Sequence, residues 1–341
     1  MTAAGPGDGA AGRDWRPAAS AAVLRLRADL LARIRAWFAA RGVLEVETPL
    51  LSAAGTTDPQ IESFTTRYLG PGAPQGRTGY LHTSPEFPMK RLLAAGSGSI
   101  FQICRVLRQG ELGPRHNPEF TLVEWYRVGA DHHALMEEVQ DLVSAALGGY
   151  RPLAAPERVS YREAFERRTG LDPHRASPEA LEACARRHGL AADGAAGAGA
   201  APDAEFWRDL LLSHLVAPAL GRGRLTLLYD YPASQASLAR VRLGDPPLAE
   251  RFEAFLDGME LANGFHELAD AGEQRRRFEA DRHRRRARGQ ASVPIDTRLL
   301  AALEAGLPDC AGVALGFDRL VMTACGARRI EEVLAFPYER A

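Results

Sequence analysis

Residues 105–127, RVLRQGELGPRHNPEFTLVEWYR, gather four arginines, three glutamates, one histidine and three aromatic residues in 23 positions. Arg105, Arg108, Arg115 and Arg127 suit a polyanion, because a guanidinium fork matches two phosphate or carboxylate oxygens at once. Arg105 and Arg127 also fit outward strand positions, whereas Arg108 falls where a strand passes into a loop. Phe120 begins the return strand, where it can stack on a base or enter the core. His116 is placed to touch a phosphate or cap a turn.

A second constellation is RFEAFLDGMELANGFHEL, residues 251–268. Asp257-Gly258 predicts a two-residue hairpin turn. That turn pairs Phe255 with Glu260 and sets Glu253 diagonally on the same face. Two carboxylates on one face repel unless a cation separates them. Oxygen donors with no histidine or cysteine suit Mg²⁺ bridging to phosphate; the alternative is that both face solvent. In GFDRL (316–320), Gly316 marks a change from strand to helix and Arg319 lies in the first helical turn, where the dipole favours an anion. The alternative there is a surface ion pair between Asp318 and Arg319.

The elements that must position these groups follow from periodicity. Leu26, Leu30, Ile34 and Phe38 predict a helix over 21–42 that stops at Gly42. VLEVETP (43–49) reads as a strand stopped by Pro49, and 79–96 as strand, turn and helix. Residues 99–109 and 120–128 form an antiparallel hairpin with a long loop. Residues 131–148 are helical, and 151–220 mainly helical with a flexible insertion, GAAGAGAAP, at 194–202. Residues 224–232 are a strand, 270–289 a charged helix, and 312–326 strand, turn and helix. Strands that arrive as hairpins among helices predict an α+β fold around a mainly antiparallel sheet. Residues 1–20 read as a loose tail.

The 341 residues are 46% hydrophobic and 25% charged with net charge −1, so no overall field draws the chain to nucleic acid. Cys104, Cys184, Cys310 and Cys325 are far apart and lack metal spacing, as expected of free thiols in a reducing cytosol. No apolar run is long enough to span a membrane and no secretion signal is visible, which predicts a cytoplasmic protein. Neither G-x-G-x-x-G nor G-x-x-x-x-G-K-[ST] occurs, against Rossmann and P-loop nucleotide binding. The run RRRFEADRHRRRARGQ (275–290) is either a solvated helix face or a docking face for an acidic partner.

Three separated stretches, in order, resemble motifs 1, 2 and 3 of the class II aminoacyl-tRNA synthetases: GVLEVETPLLS (42–52), the 105–127 stretch, and GVALGFDRLVM (312–322). ELANGFHEL (260–268) and RHNPEFT (115–121) resemble the lysyl-tRNA synthetase subgroup. About 20 residues precede the motif 1 helix, too few for the five strands of an anticodon-reading OB-fold. That truncation, with YPASQASLA (231–239), resembles the branch that ligates (R)-β-lysine to elongation factor P.

The resemblance implies one catalytic domain over 21–341 without an anticodon-binding domain. It implies ATP and Mg²⁺, activation of (R)-β-lysine as an acyl-adenylate, transfer to a lysine of elongation factor P, a homodimer, and no tRNA binding. It assigns Arg108 to the α-phosphate and Arg319 to the γ-phosphate and one face of adenine, with Phe120 on the other. Gln109, Gly110, Glu111, His116, Asn117, Leu261 and Gly316 would border the nucleotide, and Glu253 and Glu260 would hold Mg²⁺. Ser84, Pro85 and Glu86 would line the amino-acid site, Glu86 meeting one amine and Asn263 the carboxylate. Tyr126 and Glu267 would hold the ε-ammonium, with Glu124 nearby. Two positions depart from the family pattern. Gly110 stands where motif 2 carries an acid, so either Glu111 reaches the same contact through a shifted loop or that contact is lost, and Ala314 stands where lysyl-tRNA synthetases carry glycine, favouring β-lysine over α-lysine. The competing readings are a truncated lysyl-tRNA synthetase that charges tRNA and a non-catalytic paralogue. Retention of Arg108, Arg319, Glu253 and Glu260 argues against the latter.

Overall fold

The computed structural model describes residues 15–190 and 203–341; the expected insertion at 194–202 lies outside them. In chain order the elements are α1 (Ala21–Ala39), β1 (Leu44–Glu45), β2 (Leu51–Ser52), β3 (Thr65–Gly70), β4 (Ala73–Leu81), α2 (Glu86–Ala94), β5 (Ile100–Leu107), β6 (Glu119–Val128), α3 (His132–Leu147) and β7 (Ala154–Ser160). There follow α4 (Tyr161–Thr169), α5 (Pro178–Arg187), α6 (Ala204–Leu211), β8 (Arg224–Pro232), β9 (Val241–Arg242), β10 (Leu248–Leu256), β11 (Met259–His266), α7 (Ala271–Ala287), α8 (Thr297–Gly306), β12 (Cys310–Gly316) and α9 (Phe317–Cys325). Among the described residues no helix is long and apolar enough to cross a membrane.

A nine-stranded sheet in the order β1-β5-β6-β12-β11-β10-β8-β7, with β9 beside β10, carries the fold. Its outer pairs β1–β5 and β7–β8 are parallel, while every pairing from β5 through to β8 is antiparallel. This is the expected α+β arrangement. One sheet face is covered by α1, α3 and α9. There Phe38 stacks on Phe101 at 4.2 Å and meets Trp125 edge-on at 5.4 Å, anchoring α1 to β5 and β6. The stripe expected on α1 is the one that is buried: Leu30, Ile34 and Phe38, with Leu26 at its margin.

The β10–β11 hairpin turns at Asp257 (φ 50°) and Gly258 (φ 67°), the double left-handed geometry of a type I′ turn. A side chain on Gly258 would also strike the Pro218 backbone at 2.9 Å. Phe255 faces Glu260 as expected, but a bulge beyond it moves the partner of Glu253 to Asn263.

Four expectations need correction. The 43–49 strand shortens to Leu44–Glu45, because after Val46 N–H bonds Phe101 O at 2.9 Å the chain leaves the sheet before Pro49, which has no N–H to pair. The mainly helical 151–220 segment also holds a strand that was not expected: β7 runs along the sheet edge, its register breaking around Pro156, where an edge strand tolerates proline. A second sheet, β2-β4-β3, is not anticipated at all. Within the expected loose tail, Ala18 and Ala19 donate backbone hydrogen bonds to Ala335 O (2.8 Å) and Leu334 O (3.1 Å).

The basic helix α7 is not simply solvated. Arg285 is fully buried, its Nη2 2.5 Å from Glu62 Oε2, and Arg277 donates to the carbonyls of Ser237 and Ala239 at 2.8 Å. Asp318 makes no surface pair with Arg319. It is 1% exposed, 2.6 Å from Arg27 Nη1 of α1, and accepts the Thr121 N–H of β6 at 2.7 Å. This carboxylate therefore ties α1, β6 and α9 together. Asp318→Ala is expected to cost about 3 kcal/mol of unfolding free energy, because it strands a partly buried guanidinium and a backbone donor. Urea unfolding would measure it, and a loss below about 1 kcal/mol would contradict this role.

Candidate active site

The face opposite α1 and α3 forms the floor of a cleft of about 2120 Å³. Ordinary single-ligand pockets hold roughly 300–1,000 Å³, so this one has room for a nucleotide and a second substrate together. Register places the floor residues in rows. Glu124 of β6, Ala314 of β12, Asn263 of β11 and Glu253 of β10 are direct cross-strand neighbours. Two positions along, the next row is Tyr126, Gly312, Phe265 and Arg251. Because side chains alternate along a strand, both rows face the cleft. Gly312 is required here: a Cβ would lie 2.2 Å from the Tyr126 ring and 2.5 Å from Glu267 Oε1.

One end of the cleft is cationic. Arg108, where β5 ends, donates to Thr83 O at 3.2 Å, and its guanidinium carbon lies 5.1 Å from the Phe120 ring centre. Glu111 Oε1 is 3.4 Å from Arg108 Nη1 and lines the wall. Arg319 leaves the first turn of α9 and donates to Glu260 O and to His116 Nε2, both at 2.8 Å. Since arginine only donates, His116 Nε2 accepts and the ring is neutral. Burial, helped by the Arg319 charge, lowers its pKa. Asn117 lines the wall but is held by its own bonds to Glu119 O (2.6 Å) and Tyr338 N–H (3.0 Å). Ile330 N–H reaches Pro114 O at 2.7 Å, so the C-terminal segment clamps the 108–119 loop at two points.

The other end is anionic. Glu124 is 2% exposed and accepts from Tyr126 Oη and Ser84 Oγ, each at 2.8 Å. Burial first, and then the Glu86 charge, push its carboxyl up to about 8. Glu267, 1% exposed, is likewise raised to about 7 by burial. Between Glu267 and Glu86 lies a group the sequence reading missed: Lys90 of α2, buried, 2.5 Å from Glu267 Oε2 and 2.7 Å from Glu86 Oε1. Burial alone would lower the lysine pKa, but Glu267 and Glu86 outweigh it and hold the ammonium charged. Glu86 and Lys90 are four apart on a helix, a spacing that would have flagged the pair.

Between the two ends, burial and then repulsion from Glu260 raise Glu253 to about 7. Arg251, also missed, sits 2.5 Å from Glu253 Oε1 and donates to Asn263 Oδ1 at 3.3 Å, steadying both. Leu261, Gly316 and Ala314 line the cleft as expected. Three expected residues do not. Gln109 turns into an isolated bridge with Glu62, Gly110 takes a left-handed turn (φ 85°), and Pro85 is buried as the cap of α2.

Residues 12–340 match the family model of the class II tRNA synthetases (D, K and N). The chain belongs to that family. Use of ATP follows from membership. Among curated relatives, the elongation factor P–(R)-β-lysine ligase of Salmonella paratyphi B is 50% identical over 331 residues, covering 96% of this chain and 98% of the relative. The ligases of the same name from Salmonella schwarzengrund and Salmonella arizonae are 50% and 49% identical over the same lengths. The antiparallel centre of the sheet carries the cationic and anionic ends of the cleft on one face.

Removing Lys90 tests the anionic end. Lys90→Met leaves Glu267 buried without a counter-charge, with an expected loss of about 3–5 kcal/mol at pH 8. At pH 5.5 the loss shrinks, because Glu267 can take up a proton and no longer needs the ammonium. Equal losses at both pH values, by chemical denaturation, would show that Glu267 does not rely on Lys90.

Proposed function

We propose that this chain activates (R)-β-lysine with ATP and transfers the β-lysyl group to a lysine ε-amine of elongation factor P. The observation that carries the reading is the division of one cleft into a cationic half, with Arg108 and Arg319, and an anionic half, with Glu86, Glu124 and Glu267. The relatives, matched over nearly their whole length, are named for these substrates, which supports the reading. Burial holds Glu124 and Glu267 partly protonated, and the ammonium groups of a lysine-like substrate would draw them into their charged form beside Glu86. Glu86 is assigned to the amine nearer the carboxylate, Asn263 to the carboxylate, and Tyr126, Glu124 and Glu267 to the distal ammonium. The Ala314 methyl, between Glu124 and Asn263, shapes the pocket for the displaced amine of β-lysine.

In the first step a carboxylate oxygen attacks the α-phosphorus, the bond to the bridging oxygen breaks, and pyrophosphate leaves. The carboxylate is already ionised at neutral pH, so no general base is needed. Arg108 and Arg319 offset the charge building on the phosphate oxygens, and Phe120 supports the adenine ring. Glu253 and Glu260 fit Mg²⁺: they are hard oxygen donors, and the repulsion that helps raise Glu253 is what a cation relieves. Bound there, Mg²⁺ would neutralise phosphate charge. In the second step a deprotonated ε-amine attacks the acyl carbon, an amide forms and AMP departs.

A homodimer is assigned to the motif 1 segment, where Leu44, Leu50 and Leu51 are exposed. Light scattering that reads a single chain mass would remove it.

The deciding experiment incubates the protein with ATP, Mg²⁺, (R)-β-lysine and elongation factor P and reads the factor's intact mass. One β-lysyl increment, dependent on ATP, is expected, and Arg108→Ala should slow it by roughly 100-fold. No increment, with β-lysine-dependent pyrophosphate exchange intact, would keep adenylation but overturn the acceptor; charging of tRNA in its place would establish the competing reading.

A further inference from the structure

Strands β10 and β11 also carry chemistry on the face turned away from the cleft. Arg251, Glu253, Asn263 and Phe265 line the cleft, whereas their chain neighbours Glu250 and His266 do not. Alternation turns these two toward the α3 side of the sheet. There His132, first residue of α3, completes a group of three: the ligating atoms of His132, Glu250 and His266 all lie within 4.8 Å of one another.

Two independent observations point to a ligand. The first is His132. It is 2% exposed, and both its ring nitrogens are buried without a hydrogen-bond partner. Buried imidazoles normally bond at one nitrogen at least, so this ring is built for a partner that the protein itself does not supply. The second is the orientation of His266. Its Nε2 lies 2.9 Å from Asp309 Oδ1, and Asp309 is in turn 2.5 Å from Arg240 Nη2. That leaves His266 Nδ1 directed at Glu250 Oε2, 2.6 Å away. A carboxylate behind a histidine that faces another donor is the arrangement that fixes tautomer and ring angle in metal sites.

We propose that His132, Glu250 and His266 form a binding site for a divalent transition-metal ion, Zn²⁺ by preference, with Asp309 as the outer hydrogen-bond partner of His266. Two imidazoles and one carboxylate match the ligand preferences of Zn²⁺ and exclude Mg²⁺ and Ca²⁺, which favour all-oxygen sites. Binding exchanges the proton held between His266 and Glu250 for the cation, and water fills the fourth position. The site would pin the start of α3 to the ends of β10 and β11, immediately behind Glu267 and on the opposite side of the sheet from the cleft. It is a structural clamp and takes no part in adenylation.

The test uses full-length protein stripped by chelator and held in excess Mg²⁺ to occupy the cleft carboxylates. Co²⁺ is titrated and visible absorption recorded. The expected result is one equivalent bound with the intense d–d bands of a tetrahedral site, bleached by Zn²⁺. His132→Leu abolishes the bands, Glu250→Gln weakens binding at least as much as Asp309→Asn, and Asp309→Asn weakens it by about tenfold or more. Zn²⁺ raises the melting temperature of the wild type but not of His132→Leu. Absence of tetrahedral bands in the wild type, or bands that survive in all three variants, would overturn the proposal. Should His132→Leu fail to fold, Glu250→Gln and the exposed Asp309→Asn decide it on the same criteria.

Discussion

The constraint on which everything else rests is the register of the four central antiparallel strands. Glu124, Ala314, Asn263 and Glu253 form one row only because β6, β12, β11 and β10 are paired as they are. A slip of one residue in any strand would move its cleft-facing groups into the α1–α3 core and bring core residues into the cleft. The hairpin turn at Asp257-Gly258 and the bulge beyond it set the β10–β11 offset. Gly312 sets how closely β12 can pass under the Tyr126 ring. Packing of Phe38 against Phe101 and Trp125 then holds the back of the sheet to α1.

Charge is arranged on that frame with partial compensation. The anionic end buries carboxylates that water would otherwise solvate, which is costly unless a counter-charge is near. Lys90 supplies one, and the hydroxyls of Ser84 and Tyr126 satisfy Glu124. Burial raises the Glu124 and Glu267 carboxyls, so their oxygens can ionise when a cation comes beside them. At the other end Arg108, His116 and Arg319 are held by backbone carbonyls and by each other, ready for anionic oxygens. Holding such groups in place before a ligand arrives reduces the reorganisation that binding or reaction would otherwise demand.

Much of this was legible in the chain. The periodicity of α1, the β5–β6 and β10–β11 hairpins and the strand–helix change at Gly316 all follow from local rules, and the structure has them. What was not legible depends on distant contacts. The threonines and tyrosine of TTRYLG favour a strand, but the segment is almost wholly exposed and lacks the alternating apolar pattern that would mark it. Asp318 beside Arg319 invites a surface pair, and only the arrival of Arg27 from the other end of the chain redirects it. Lys90 within MKRLL reads as an ordinary helix-surface lysine until α2 is packed against α8 and the lysine meets Glu267, just beyond β11. Gln109 and Gly110 sit inside a recognisable motif yet turn off the wall, since motif membership does not specify where a loop residue points.

The C-terminal clamp on the 108–119 loop has a consequence for which parts of the cleft can loosen separately. Arg108, His116 and Asn117 belong to a loop positioned in part by the backbone of Ile330 and Tyr338. Those contacts join residues more than two hundred positions apart. The Glu124–Ser84 contact at the acidic end does not involve them. Fraying of the segment around 330–338 would therefore free the loop at the cationic end while the acidic end keeps its form.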